Sequence, residues 1–313
     1  MKAWRVIARS GGRLIRPLFQ KNIHLARMYY FYRRNQEARQ LGGSPVLLYQ
    51  MGKVGSKTIQ RSLEALDLDS PIYHAHFLTP DRVKKTEKER RKYFGTERMG
   101  LLRHVWLYQY LLKQIARGLN GKKWKIVTLT REPISRNIST FFENLDVKPL
   151  GDGHRYRIQS DYYGFGIVLD IEHLDELVQL FLERLYHDRP LVFFDEEIKS
   201  MFGIDVFATQ FPISKGYKIY EEEHADVLLI RLENLNDCAA EAFERFLGIK
   251  GFTLTHANIA GEKVYAPIYR RFRDSIVLPE SYVERMYGSK YMRHFYSKEE
   301  IARFRAKWET FRN

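Results

Sequence analysis

Three short stretches carry residue types whose spacing suits chemistry on a doubly anionic ligand. The first is Gly52, Lys53, Val54, Gly55, Ser56, Lys57 and Thr58, set between the apolar run "PVLLYQM" and a helical pattern. Backbone N–H groups at such a strand-to-helix turn, together with the helix dipole, cradle an anion, and Gly52 and Gly55 permit a tight approach. The second is "TLTREPISRNISTFFENL", where Arg131 leaves an apolar strand and Ser139 lies two turns into the next helix, on the face of Ser135. A planar guanidinium fork suits a phosphate, and the hydroxyl can donate to the same group. The third is "IYHAHFL", which places His74 and His76 at i and i+2 on one face of a strand. An imidazole of pKa about 6.5 suits removal of a proton from a hydroxyl.

Elements that alternate along the chain must position these groups. "PVLLYQM", "SPIYHAHFL", "WKIVTLT", "PLVFF" and "DVLLIRL" read as strands. Helices are predicted at "KTIQRSLEAL", "LLRHVWLYQYLLKQIARGLNG", "IEHLDELVQLFLERLY" and "AAEAFERFLG", and from Pro133 onward. A last helix opens with the capping box Ser297 and Glu300 and should bury Ile301, Phe304, Trp308 and Phe311. Residues 81 to 98 are so charged that a solvated helix or loop is expected. The pattern implies an α/β fold with three layers and a central parallel sheet, whose ligands bind at the carboxyl ends of strands. Residues 1 to 42 read as a basic N-terminal extension and residues 43 to 313 as one domain.

The first loop does not fit the triphosphatase pattern G-x-x-x-x-G-K-[ST], because aligning Lys57 and Thr58 puts Met51 and Ser56 at both glycine positions. Its order, K-x-G-[ST]-x-T, resembles the 5′-phosphosulfate loop of sulfotransferases that use 3′-phosphoadenosine 5′-phosphosulfate (PAPS). Arg131, Pro133, Arg136, Ser139 and Phe141 match R-x-P-x-x-R-x-x-S-x-[FY], which resembles the same family's 3′-phosphate site. The His-x-His at 74 and 76 resembles that of uronyl 2-O glycan sulfotransferases, which implies His76 as base and His74 as its neighbour or orienter. "NIAGEKVYAPIYRRFR" resembles a late segment of bacterial capsular-polysaccharide sulfotransferases, and it makes Lys263 a candidate for the nucleotide 3′-phosphate. "ADVLLIRLENL" resembles a strand common in the family's C-terminal half, with Glu233 in a structural position. Lys57 stands where many relatives carry a small hydroxyl residue.

The resemblance implies a P-loop-containing sulfotransferase-like fold and sulfuryl transfer from PAPS to an acceptor hydroxyl, with a saccharide or polysaccharide favoured. Lys53 would stabilise the leaving group, the 52 to 58 loop would hold the phosphosulfate, and Arg131 and Ser139 the 3′-phosphate. No metal is implied. The His-x-His could ligate one, but no third and fourth ligand stands at supporting spacing.

The net charge of +14, from 52 Lys and Arg against 38 Asp and Glu, favours an anionic partner. Part of that excess lies in residues 1 to 40, which could rest on an anionic membrane as an amphipathic arm. One cysteine, Cys238, suits a reducing compartment, and with no apolar segment of spanning length and no secretory signal the expectation is cytoplasmic, with a peripheral membrane contact as an option. Two other readings stay open. A P-loop kinase or ATPase would need magnesium and lacks both glycines and a clear magnesium aspartate. A non-catalytic basic module binding nucleic acid or membrane would spread its phosphate contacts and depend steeply on salt. No nucleic-acid motif is visible, so no nucleic-acid partner is expected.

Overall fold

The computed structural model describes residues 23–94, 99–151, 154–255 and 264–309. In chain order the strands are β1 (Val46–Tyr49), β2 (Ile72–Ala75), β3 (Trp124–Thr130), β4 (Asp146–Leu150), β5 (Arg155–Ser160), β6 (Phe165–Asp170), β7 (Tyr217–Glu221) and β8 (Ala225–Arg231). A five-stranded sheet has the order β2-β1-β3-β8-β7. Its first four members run parallel, and β7 closes one edge antiparallel to β8. Every residue of β1 and β8 is buried, as a parallel sheet covered on both faces requires. Leu48 lies opposite both His74 and Val127, so β1 carries the register between β2 and β3. The carboxyl ends of all four parallel strands therefore reach one edge of the sheet, where ligands of such folds bind.

Helices cover the sheet. Those that position the site are α1 (Ile23–Leu41), α2 (Ser56–Glu64), α3 (Pro80–Phe94), α4 (Met99–Arg117) and α5 (Pro133–Glu143). Ile59 and Leu63 of α2 are fully buried, and Val105, Tyr108 and Leu111 anchor α4. The expected charged segment after residue 80 is helical as α3. Helix α1 packs on α4 through Ala26, Tyr30 and Phe31, with Tyr30 against Trp106 and Phe31 edge-on to Tyr110. At the C-terminal end, Ser297 and Glu300 make the reciprocal capping box of Lys298–Glu309. Trp308 is buried there, Ile301 and Phe304 are half-buried, and Phe311 lies outside the described residues.

Two features depart from the sequence reading. "PLVFF" is a helix, not a strand: Arg189–Phe193, hereafter α6, runs on through a π-helical turn at Phe194–Lys199 and a last α turn at Ser200–Phe202. Pro190 sits in the first turn, where its missing N–H costs nothing. Phe193, Phe194 and Ile198 are buried and Leu191 and Val192 half-buried, and an apolar run this short shows too little periodicity to separate helix from strand. Secondly, β4, β5 and β6 form their own antiparallel sheet. Tyr156, Ile158 and Ser160 face inward while Arg155, Arg157 and Gln159 face water, and polar residues at alternate positions mask the strand in the sequence.

Candidate active site

The first loop is held from beneath by two arginines. Met51 and Val54 anchor it in the core, while the carbonyl of Gly52 accepts from Arg136 Nε at 3.1 Å and that of Lys53 from Arg131 Nη1 at 2.8 Å. Lys53 turns the chain with φ of 70°, and Gly55 follows with φ of 90°. A side chain at Gly55 would strain the backbone, and its Cβ would stand 2.7 Å from Leu232 Cδ1. Gly55 then opens α2 with no side-chain cap, which leaves the positive end of that helix to the loop. Ser56 is buried, Thr58 is half-buried and donates its N–H to the Gly55 carbonyl, and Lys57 is exposed on the helix flank. Lys53 Nζ meets Glu143 Oε2 at 2.8 Å.

The second element differs at its helix terminus. Glu132 caps α5 with its own carboxylate, which accepts the N–H groups of Ile134 at 2.7 Å and Ser135 at 2.8 Å and the hydroxyl of Tyr287 at 2.8 Å. That anion position is filled from within the chain, so an external phosphate here falls to side chains. Arg131 and Ser139 are both half-buried. The end of β3 is pinned by Tyr291, whose hydroxyl accepts from Arg131 N at 3.0 Å and donates to the Arg131 carbonyl. Arg136 is buried, and desolvation, with the charge of Arg189 beside it, lowers its guanidinium to about 10.

The histidines lie beside this loop. His76 Nδ1 is 2.9 Å from the carbonyl oxygen of Gln50. A carbonyl only accepts, so Nδ1 carries the proton and Nε2 holds the lone pair of the neutral ring. Burial lowers the pKa of His76, the Gln50 bond opposes that shift, and the charges of Arg136, His104 and Arg189 add to it. His74 meets His76 edge-on with ring centroids 4.6 Å apart, and burial with the charges of His76, His104 and Lys57 drives its pKa down to about 3. The bond that orients His76 thus comes from the Gln50 backbone. His74 Nε2 and both amide atoms of the Gln50 side chain are buried without a protein partner among the described residues.

The fold therefore gathers Lys53, Arg131, His74 and His76 at one sheet edge, with Ser139 on the helix beside them. Lys263 lies outside the described residues. Glu233 accepts from Glu132 N at 2.8 Å and the Tyr296 hydroxyl at 3.2 Å, a structural post. Sequence reasoning missed Gln50, Glu143, Arg189 and Glu197. Gln50 and Glu143 flank the two motifs and were legible only by proximity, whereas Arg189 and Glu197 sit around the misread "PLVFF". Among the described residues no three His, Cys, Asp or Glu side chains converge as a metal site needs. None of the described helices is long and apolar enough to cross a membrane.

Residues 167–297 match a family model described as "Putative capsular polysaccharide synthesis protein". No curated protein and no solved structure matches the chain. The matched segment starts in β6 and ends at the Ser297 cap, so it takes in Arg189, Glu197 and Glu233, while the two anion loops and the histidines precede it.

Proposed function

We propose that the chain is a sulfotransferase that moves a sulfuryl group from PAPS to a hydroxyl of a saccharide acceptor. The observation that carries this reading is the 2.8 Å bond from Arg131 Nη1 to the Lys53 carbonyl. It ties together two motifs 78 residues apart, each matched to one end of the same nucleotide. The residues also fit the donor chemically: an uncapped helix N-terminus and a lysine for the 5′ end, and a guanidinium and a hydroxyl for the 3′-phosphate. The capsular polysaccharide family matched by the C-terminal half supports a saccharide acceptor.

PAPS would supply an activated sulfuryl group on a phosphate leaving group. In that setting His76 Nε2 takes the acceptor's hydroxyl proton, with Nδ1–H held on Gln50. Lys53 Nζ stabilises negative charge developing at the 5′ end, a role worth several kcal/mol for a preorganised donor. Arg131 and Ser139 select a nucleotide bearing a 3′-phosphate. The test is calorimetric titration with adenosine 3′,5′-bisphosphate beside ATP plus magnesium. Selective binding of the bisphosphate is the expected result. Preference for magnesium ATP would turn the assignment to a kinase or ATPase.

A further inference from the structure

Behind His76, on the other side of the strand end, lies a buried polar cluster that no sequence motif marks. Glu197 is fully buried on the π-helical turn that follows α6. Such turns are rare and are frequent at functional sites. One carboxylate oxygen, Oε2, accepts the Tyr49 hydroxyl at 2.5 Å, the N–H of Leu78 at 2.9 Å and the N–H of Thr79 at 3.3 Å. The other, Oε1, accepts Arg189 Nη2 at 2.9 Å, and the same Nη2 reaches the His76 carbonyl at 3.4 Å. Arg82 stands 3.5 Å from Oε1, and Glu196 takes Arg189 Nη1 at 2.8 Å. The end of β1, the segment just after β2 and the helix α6 are thereby fastened to one side chain.

Consider what this does to the imidazole. Its ring is oriented by the Gln50 carbonyl, which follows Tyr49 directly, while its own backbone lies two residues before Leu78. Glu197 grips both Tyr49 and Leu78. The distance across which His76 Nδ1 reaches Gln50 is therefore set by two chain segments that Glu197 joins. A carboxylate this deeply buried is costly unless every lone pair is used, and here it receives hydrogen bonds from β1, from the chain after β2 and from a guanidinium. Helix packing alone would be served as well by an apolar residue.

We infer that Glu197, with Arg189, is the positioning residue that fixes the tautomer and the placement of His76. The inference rests on reading His76 as the base, but its structural content can be measured without any transfer assay. It also gives the matched C-terminal segment a share in a site whose anion loops lie outside that segment.

The experiment is ¹⁵N NMR of histidine-labelled full-length protein, wild type against Glu197→Gln and Tyr49→Phe, with thermal melts to verify folding. In the wild type the His76 shifts should report a neutral ring protonated at Nδ1, titrating below 6.5. In either folded variant the Nδ1–H signature should give way to a mixture of tautomers, and the apparent pKa should fall below that of the wild type, because the Gln50 bond that raises it is weakened. If Glu197→Gln does not fold, Tyr49→Phe decides, since it removes one donor and leaves the carboxylate in place. A folded variant with unchanged His76 shifts and titration overturns the inference. In a transfer assay, kcat should fall by about 10²-fold while KM for PAPS stays within about twofold, as expected when a base is misplaced by an ångström. Should His76 shift in the variants while the wild type transfers no sulfuryl group, the positioning role stands and the proposed reaction falls.

Discussion

Lys53 Nζ stands 2.8 Å from Glu143 Oε2, so the last residue of α5 holds the cation of the first loop. The Tyr265 hydroxyl reaches the same oxygen at 3.3 Å. An anionic ligand drawn to Lys53 must compete with that carboxylate. Both partners are partly exposed, and pairs of this kind are worth about 0.2–1 kcal/mol. Glu143→Gln should therefore tighten binding of adenosine 3′,5′-bisphosphate by roughly two- to fivefold, read by titration calorimetry. Weaker binding in that variant would mean that Glu143 belongs to the ligand's own shell.

Lys53→Ala removes the cation and keeps a Cβ on a backbone already at φ of 70°, so the turn itself should persist. Turnover should fall by about 10²–10³, by analogy with the loss of one oxyanion-hole donor. Affinity for the bisphosphate should fall far less, because the N-terminus of α2 and Arg131 remain. Single-turnover kinetics with PAPS and an acceptor glycan separate the two effects. Near-full turnover would end the assignment of Lys53.

The parallel strands were legible because β1 is an apolar run and β3 and β8 are dominated by apolar residues, and the two loop motifs follow the ends of β1 and β3. Lys53 and Arg131 stood out as candidates from residue type and neighbouring glycine or proline. What could not be read is the bond from the Arg131 guanidinium to the Lys53 carbonyl, since it depends on β1 and β3 lying side by side. Glu132 as the cap of α5 was also hidden: Glu before Pro resembles any acidic turn until its carboxylate is seen on the Ile134 and Ser135 amides. The β4 to β6 sheet escaped because the outward residues of β5 are polar, and the helix at "PLVFF" because an apolar run of five residues is too short to show a period.

Gly55→Ala tests the turn apart from any chemistry. Left-handed backbone costs a residue with a Cβ roughly 1–2 kcal/mol, and here the methyl would also press on Leu232. Urea denaturation should show a loss of at least that size with an unchanged slope. Adding Leu232→Ala should relieve the steric part alone, leaving the backbone part in place. A variant as stable as the parent would show that the loop takes another path.

The pH response follows from the two histidines and can be followed without substrate. His74 and His76 are both neutral in the folded chain at neutral pH, with His74 held near pKa 3 and His76 below its ordinary value. In the unfolded chain each titrates at about 6.5. Below that pH the unfolded state binds protons that the folded state refuses, so stability is full above about 6.5 and is lost as pH falls toward the folded values. His74→Asn should flatten this dependence between pH 6.5 and 4, by up to about 1.4 kcal/mol per pH unit, in urea melts compared with the parent. For activity the same shift has the opposite use. A base that stays neutral to lower pH keeps its lone pair, so the acid limb of kcat/KM for transfer should lie below 6.5 and move with His76, not with His74. An acid limb at or above 6.5 would contradict the half-buried, Gln50-bound imidazole as the proton acceptor.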